Sequence, residues 1–336
     1  MKIRILAEPV SGWLHRAMLK PMKPVFGNFI LSWRCNYRCV MCNNWRRNSA
    51  ERLTPEELER LLESRWLDRL EVVSLTGGEP FLLDDLEDII DVFKRKGIPT
   101  IGITTNASMP NRIREVMQRS VRGSGSNFYI HVSLDGPPEI HNAIRGVPRA
   151  FERVEETMCA LRDIENLRVG VGMCIGSLNW NHIGYVREFA RRHGASFVVG
   201  LAEAGWIFGQ CAGGANLYTF TDEQKKVIAN EMRRIGTWYA EGVVERLAGI
   251  SKPIQCTAFW HGFTVAPDGS VHPCVNSSDV VGNIQKESFS SIWTSVKARE
   301  ARSKVLRCSG CWSNCEMIYS YRYSFRRLTE AFRRGF

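Results

Sequence analysis

Three closely spaced cysteines are the residues of this chain most able to do chemistry. Cys35, Cys39 and Cys42 follow an apolar, strand-like segment in the pattern C-x3-C-x2-C. Thiolates are soft ligands that suit iron–sulfur clusters, and three on one short loop can bind three irons of a [4Fe–4S] cluster. The fourth iron would then lack a protein ligand nearby in sequence. An open coordination position is where a metal centre can react with a bound molecule.

Two other uses of the three cysteines remain open at this point. A structural zinc site needs four ligands, and the nearest histidine in sequence, His15, lies before the strand-like segment. Disulfides need an oxidising compartment, and residues 1–25 mix Lys, Arg and Pro with apolar residues instead of forming a signal peptide. The spacing therefore favours an iron–sulfur cluster over zinc or unrelated thiols.

A second motif, Gly77-Gly78-Glu79-Pro80, follows the next strand-like segment. Glycines let a backbone approach a neighbour closely, and a carboxylate can pair with an ammonium group. The two motifs in this order resemble the radical S-adenosylmethionine (SAM) enzymes. The resemblance implies that the three cysteines hold a [4Fe–4S] cluster whose fourth iron binds the amino and carboxylate groups of SAM. It also implies that the Gly-Gly-Glu-Pro segment contacts the methionyl amine.

Strand-like and helix-like segments alternate from residue 28 to about residue 203. The first helix opens with Thr54-Pro-Glu-Glu57, a capping box with proline at the first helical position. Right-handed crossovers between such units predict an α/β fold with a parallel sheet. The resemblance implies that the units curl into a partial (β/α)6 TIM-like barrel, with the cluster at the carboxyl ends of the strands. Strands are predicted at residues 28–33, 70–76, 99–105, 127–134, 167–175 and 196–202.

The resemblance also assigns SAM-binding roles at the ends of the third and fourth strands. Thr105-Asn106 is similar to the Thr-Asn-Gly of relatives, and Ser133 stands where relatives contact the SAM ribose or carboxylate. Arg145 could bind a carboxylate through two parallel hydrogen bonds or cap the following helix. Met41 replaces an aromatic residue that packs near adenine in many relatives, and it can fill that space. The expected cofactor-binding residues are Met41, Gly77, Gly78, Glu79, Pro80, Thr105, Asn106, Ser133, Asp135 and Arg145.

Five further cysteines crowd into residues 256–315, around a predicted hairpin whose turn is Asp268-Gly269. This segment resembles the SPASM/twitch extension of radical SAM enzymes, which binds one or two auxiliary [4Fe–4S] clusters. Five cysteines are fewer than the seven of a full SPASM domain, so one auxiliary cluster is expected; a zinc ribbon is the alternative. Cys256, Cys274, Cys308 and Cys311 fit a four-ligand site, and Cys315 is either spare or replaces one of the Cys308–Cys311 pair.

The positive charge of the chain lies at its two ends. The whole chain carries +10, residues 1–34 carry +5 and residues 299–336 carry +6. A stripe at helical spacing near the C-terminus predicts a basic amphipathic helix packed on the barrel, with contact to an anionic membrane as the alternative. The stripe consists of Ile318, Tyr321, Phe325, Leu328 and Phe332, and Trp13, Leu14, Ala17 and Met18 form a shorter one near the N-terminus.

Five regions are predicted along the chain. They are a basic N-terminal extension (1–27), the radical SAM partial barrel (28–220), a linking helix (221–249), a twitch/SPASM-like auxiliary cluster domain (250–316) and a basic amphipathic C-terminal helix (317–336). Residues 203–218, which are rich in glycine and aromatic residues, suit a loop that covers a substrate.

The resemblance implies a reaction class. A reduced cluster cleaves SAM to a 5′-deoxyadenosyl radical, which abstracts hydrogen from an unactivated C–H bond. An auxiliary cluster that accepts an electron would make the reaction a net oxidation or a crosslink. The alternatives are radical C–C bond formation on a lipid or small metabolite without net oxidation and, remotely, a zinc-binding nucleic-acid adaptor. The sequence assigns no catalytic residue of the protein itself.

The expected partners follow from that class. They are a one-electron donor such as flavodoxin or ferredoxin and a small-molecule, lipid or peptide substrate. Nucleic acid is not expected, because no RNA-binding motif accompanies the basic charge. The expected location is cytoplasmic, with peripheral contact to the inner face of the membrane as an option.

Overall fold

The strands of the protein form one sheet with two distinct parts. The computed structural model describes residues 2–42, 44–47, 49–203, 205–206, 217–250, 254–327 and 329, with backbone only for residues 2–6. Within these residues, nine strands follow the order β6-β5-β4-β3-β2-β1-β7-β8-β9. The strands are β1 (Phe26–Ile30), β2 (Val72–Thr76), β3 (Thr100–Thr105), β4 (Asn127–Ser133), β5 (Leu167–Ile175), β6 (Ser196–Leu201), β7 (Gly262–Val265), β8 (Ser270–His272) and β9 (Gly282–Asn283).

Strands β1 to β6 pair in parallel with their neighbours in chain order, which confirms the predicted α/β fold of a partial barrel. The helices that connect and extend them are α1 (Lys2–Ala17), α2 (Pro55–Leu62), α3 (Leu86–Arg95), α4 (Pro110–Val121), α5 (Pro138–Arg145), α6 (Ala150–Leu161), α7 (Ile183–Arg192), α8 (Asp222–Ile235), α9 (Trp238–Leu247), α10 (Phe289–Thr294), α11 (Val296–Arg307) and α12 (Asn314–Arg322). Helix α2 has the predicted capping box, with Thr54 and Glu57 bonding each other's backbone N–H.

Successive side chains along the strands alternate between the face that packs in the core and the face that is open to the site. In β2, Val73 and Leu75 are fully buried and belong to the same apolar core as Phe93 of α3. The opposite face of the strands carries small and polar residues such as Ser74 and Gly102. Because successive side chains point to opposite faces of a sheet, the helix-covered face is apolar while the other face can hold polar groups.

The predicted hairpin at residues 263–271 is confirmed, but it does not form a separate sheet. β7 and β8 pair antiparallel, and β7 also pairs in parallel with β1, so that Phe26 lies opposite Gly262. The C-terminal region therefore extends the barrel sheet beyond β1. This pairing fixes its cysteines relative to the first cysteine loop.

Two helix predictions need correction. The linking segment 221–249 contains two helices, because Gly236 ends α8 in the left-handed region at φ 66° and Thr237 caps α9. The helix expected over 317–336 begins at Asn314 and is interrupted after Arg322; residues 325–327 and 329 are helical again, and residues 328 and 330–336 lie outside the described residues.

The C-terminal stripe is only partly buried. Tyr321 stacks on Trp238 with ring centres 4.2 Å apart, whereas Ile318 and Phe325 are each 49% exposed. Met317 and Ser320 are the buried residues beside them. Polar contacts decide the orientation, since the Ser320 hydroxyl accepts a hydrogen bond from the Thr257 backbone N–H at 2.9 Å. Leu328 and Phe332 lie outside the described residues. In the part of the chain that the structure describes, no helix is long and apolar enough to cross a membrane.

Candidate metal and SAM site

The first cysteine loop lies against the Gly-Gly-Glu-Pro segment. The backbone N–H of Gly78 donates to the Ser32 carbonyl and that of Glu79 to the Arg34 carbonyl, both at 2.8 Å. A Cβ atom on Gly78 would lie 1.9 Å from the Arg34 carbonyl oxygen. The second glycine is therefore required by the cysteine loop itself, because any side chain there would push the loop away.

The other side of the loop is held by the end of helix α5. The Arg38 backbone N–H donates to the Arg145 carbonyl at 3.1 Å, and that of Val40 donates to the Ile144 carbonyl at 2.9 Å. Cys39, between these two residues, is only 8% exposed. The three thiols are thus carried on a loop whose backbone is fixed from both sides.

Glu79 organises the ends of strands β2 and β3. Its carboxylate accepts hydrogen bonds from the Asn106 backbone N–H at 2.7 Å, the Thr105 hydroxyl at 2.8 Å and the Phe81 backbone N–H at 3.2 Å. Burial raises the pKa of Glu79 to about 7, although these bonds favour the charged form. The Asn106 side-chain amide lies 3.8 Å from the Cys35 sulfur and donates to the Asn36 side-chain oxygen at 2.9 Å. Glu79 therefore positions a residue that reaches the first thiol.

Arg145 binds a carboxylate of the protein. Its Nε donates to Asp135 Oδ2 at 2.7 Å, and its Nη1 lies 3.8 Å from the Cys39 sulfur. Burial disfavours the cation, but the negative charge of Asp135 raises the pKa of Arg145 above its ordinary value. A permanent positive charge therefore lies next to the middle thiol of the loop.

The remaining predicted SAM-site residues surround the same region. Met41 packs with Tyr37 and Ala150, and Pro80 is buried at the start of a short 3-10 turn. Ser133, at the end of β4, is half-buried. All ten predicted residues are thus on the cysteine loop or at the carboxyl ends of β2, β3 and β4 and in the helix that follows β4.

The donor set of this loop fits an iron–sulfur cluster. Burial raises the pKa of Cys35 to about 12 and that of Cys42 to about 11, so metal binding must displace their protons. Among the described residues, no three His, Cys, Asp or Glu side chains converge on the position of a single ion. A cluster places each cysteine on a different iron and does not require such convergence. The hydrogen-bond donors of Asn106 and Arg145 beside two of the sulfurs suit thiolate ligands.

A second group of thiols lies beyond β7. The pKa of Cys274 is raised by burial and by the neighbouring charges of Glu316, Cys256 and Cys311. Burial, Glu316 and Cys311 likewise raise the pKa of Cys315 to about 12. Cys311 affects the pKa of the other three, which indicates that four cysteines are neighbours: Cys256, Cys274, Cys311 and Cys315.

Cys308 differs from those four. It is exposed, and its sulfur accepts a hydrogen bond from the Gly310 backbone N–H at 3.3 Å. The structure therefore groups Cys315, and not Cys308, with the other three thiols. The C-x2-C spacing favoured Cys308 in the sequence, and no local signal indicated that Cys315 would take its place.

Two residues that sequence reasoning did not assign to the thiol groups interact with them electrostatically. Burial and the charge of Asp135 raise the pKa of Cys174, at the end of β5, with smaller effects of Glu203 and Cys42. Glu203, just after β6, accepts a hydrogen bond from the Trp312 backbone N–H at 2.9 Å and acts electrostatically on Cys311. The position of Glu203 directly after a strand is the signal that could have identified it.

Part of the predicted covering segment packs on Trp33, which follows β1. The Arg47 guanidinium lies 4.1 Å from the Trp33 ring centre and 4.8 Å from that of Trp206, and it donates to the Trp206 carbonyl at 2.8 Å. Trp206 also packs on His272, with ring centres 4.3 Å apart. Residues 204 and 207–216 of the segment, including Cys211, lie outside the described residues.

An open α/β barrel with a three-thiol loop at its strand ends and four further thiols beside it defines a protein with two metal–sulfur centres. Comparison with known families agrees with this class. Residues 29–190 match the radical SAM superfamily, and residues 256–315 match the iron–sulfur cluster-binding domain called SPASM. The chain belongs to the radical SAM superfamily and carries a C-terminal SPASM-type domain, as the two sequence motifs predicted.

Individual relatives support this assignment. A probable GTP 3′,8-cyclase of Thermococcus kodakarensis is 32% identical over 171 residues, covering 49% of this chain and 52% of that protein. The antilisterial bacteriocin subtilosin biosynthesis protein AlbA of Bacillus subtilis is 23% identical over 288 residues, covering 81% of this chain and 60% of that protein. The chain thus spans between half and two thirds of these curated relatives.

A solved structure shows the same fold. The crystal structure of Streptococcus suis SuiB bound to S-adenosylmethionine matches with a TM-score of 0.63 at 16% identity, over 83% of this chain and 68% of that one. The two matched domains imply a [4Fe–4S] cluster that binds SAM and an auxiliary cluster. Cys35, Cys39 and Cys42 fit the SAM-binding cluster by their number, their spacing and their surroundings.

Proposed function

We propose that this radical SAM enzyme abstracts a hydrogen atom from an unactivated C–H bond and completes a net two-electron oxidation, as an oxidoreductase. When bound to SAM and reduced, the first cluster supplies the electron that cleaves the sulfonium bond and yields the abstracting 5′-deoxyadenosyl radical. The observation that carries the proposal is the parallel pairing of β7 with β1, which joins the domain of the second thiol group to the strand that leads into the first cysteine loop. A substrate radical formed at the first site would then have a second redox centre on the same sheet to accept its electron.

The electron balance follows from that arrangement. One electron from an external carrier and one hydrogen atom from the substrate convert SAM to methionine and 5′-deoxyadenosine. The substrate then loses one more electron and one proton, giving a carbonyl, a double bond or a crosslink. We propose Cys256, Cys274, Cys311 and Cys315 as the residues that hold the electron acceptor, because these four thiols are grouped.

The protein residues position and enclose the reactants. Glu79 fixes Thr105 and Asn106 at the SAM side of the site, and its carboxylate suits the methionyl amine as a hydrogen-bond acceptor. Ser133 is proposed to contact SAM from the end of β4. Arg47, Trp33 and Trp206 form an aromatic wall that limits access of water from one side.

The external electron donor and the substrate class belong to the proposal as well. A flavodoxin or ferredoxin suits the one-electron step. Peptides are the first candidates as substrate, since AlbA acts in the biosynthesis of a bacteriocin and matches 81% of this chain.

The test uses anaerobically purified, cluster-loaded protein with SAM and a one-electron reductant. We expect 5′-deoxyadenosine to form, and to carry deuterium when the correct substrate is deuterated. The Cys35→Ala/Cys39→Ala/Cys42→Ala variant should form none. The Cys256→Ala/Cys274→Ala variant should still cleave SAM but yield no oxidised product. Full product formation by the second variant would refute the acceptor role.

A further inference from the structure

Helix α1 presents its apolar face to solvent. Val10, Trp13, Leu14 and Met18 are 47%, 52%, 43% and 49% exposed, and Ala7 and Ala17 are exposed as well. These residues recur every three or four positions and therefore form one stripe on the helix and the turn that follows it. A stripe of this kind ordinarily packs on the core of a protein.

The polar face of the same helix holds it to the protein. Glu8 forms ion pairs with Arg322 at 2.5 Å and Arg327 at 2.8 Å, and Arg322 also pairs with Glu71 at 2.6 Å. Gly12 is buried against Tyr323, where a Cβ atom would lie 3.1 Å from the Tyr323 Cβ. Rotating the helix to bury its apolar face would break these ion pairs and this close contact. The outward direction of the stripe is therefore specified by the fold.

An exposed apolar stripe of this length indicates a binding surface. Its surroundings indicate what binds there. Residues 1–34 carry +5 and the whole chain carries +10. The exposed Lys20 follows the helix directly, and the exposed Lys23, which pairs with Asp68 at 3.6 Å, follows soon after. A second copy of the chain would bring the same positive charge to this surface and be repelled, whereas anionic lipid would be attracted.

We propose that α1 docks this protein on an anionic membrane surface, with Val10, Trp13, Leu14 and Met18 inserted at the boundary between headgroups and acyl chains. Tryptophan and aliphatic residues on one face with lysines beside it are the features of helices that lie in this interface. The docking helix is tied to Glu71, which precedes β2, and so lies toward the amino ends of the strands. The first cysteine loop follows β1 at the carboxyl ends of the strands and so lies away from this helix, whereas Leu19 and Met22, just after the helix, belong to the same packed cluster as Cys256 and Cys274.

The test is flotation of the full-length, cluster-loaded protein with vesicles of phosphatidylcholine, with and without phosphatidylglycerol. We expect flotation with the anionic vesicles that weakens as salt is raised. The Trp13→Gln/Leu14→Gln variant should reduce the bound fraction at least about tenfold, since it removes the largest inserted side chains. The Lys20→Gln variant should weaken binding less, and mainly at low salt.

The matched control is Leu178→Gln/Val296→Gln, which changes two apolar residues exposed elsewhere, at 49% and 75%. It should float like the wild type, and all variants should keep the wild-type circular dichroism and SAM cleavage. Absence of wild-type flotation with anionic vesicles, or equal flotation of the Trp13/Leu14 variant, overturns the proposal. Light scattering that shows a dimer broken by the Trp13/Leu14 variant, together with no flotation, would assign the stripe to a second copy instead.

Discussion

Arg145 donates a 2.7 Å hydrogen bond from Nε to Asp135 Oδ2, and both side chains are buried beside the first cysteine loop. The same arginine reaches the Cys39 sulfur and, through its carbonyl, accepts the Arg38 backbone N–H. One ion pair therefore connects the end of β4, the end of α5 and the middle thiol. The guanidinium positions the loop as well as balancing a buried carboxylate.

Replacing one member of this pair should be more harmful than replacing both. Arg145→Gln leaves the Asp135 charge buried without its partner and should lower the free energy of unfolding by about 3–5 kcal/mol. Asp135→Asn/Arg145→Gln removes the uncompensated charge and should recover part of that loss. Denaturant unfolding of the wild type, both single variants and the double variant measures the coupling. Additive single effects would show that the two groups do not act together.

Glu79 should make SAM binding dependent on pH. Its pKa in the SAM-free site is about 7, so it is increasingly protonated below that value. Only the carboxylate can accept a hydrogen bond from the methionyl amine, so its proton must leave before that bond forms. SAM affinity of the cluster-loaded protein should therefore fall as pH falls through 7, and the fall should be smaller in Glu79→Gln, where only the SAM amine still takes up a proton. Calorimetric titration one unit below and one unit above that pH checks this; an unchanged wild-type affinity would contradict it.

Cys315, and not Cys308, should be required for the second cluster. The wild type should bind about eight irons as two [4Fe–4S] clusters. Cys308→Ser should keep that content because this thiol is exposed and apart from the others, whereas Cys315→Ser should lose about half of it. Iron and sulfide analysis with the charge-transfer absorbance decides between them. Loss of iron from Cys308→Ser alone would show that the Cys308–Cys311 pair holds the cluster. Zinc in place of iron would show that the domain is a zinc ribbon.

Arg47 should stabilise the aromatic wall. Its guanidinium lies between the Trp33 and Trp206 rings, so Arg47→Ala should cost about 1–3 kcal/mol through two cation–π contacts and one hydrogen bond. Arg47→Lys should recover only part of this, because an ammonium cannot stack between two rings. The control is Arg46→Ala, which removes an exposed arginine over Trp45 alone and should cost less. Equal effects of Arg46→Ala and Arg47→Ala on thermal unfolding would contradict this view.

Local sequence determined much of this protein. The six parallel strands, the capping box of α2 and the β7–β8 turn at Asp268-Gly269 follow from periodicity and from residues only a few positions apart. The spacing of Cys35, Cys39 and Cys42 and the following Gly-Gly-Glu-Pro specified the family, because such a site needs its ligands on one loop.

Tertiary structure decided what depends on residues far apart in the chain. The sequence placed Cys308 in the four-ligand set and left Cys315 as a spare or a replacement; only the position of α12, whose Ser320 accepts a hydrogen bond from Thr257, brings Cys315 into the group that contains Cys311. The partner of Arg145 and the parallel pairing of β7 with β1 likewise depend on long-range contacts. The amphipathic pattern of α1 does not determine which face of the helix is buried against the protein. That face is set by the ion pairs of Glu8 with Arg322 and Arg327, more than three hundred positions away.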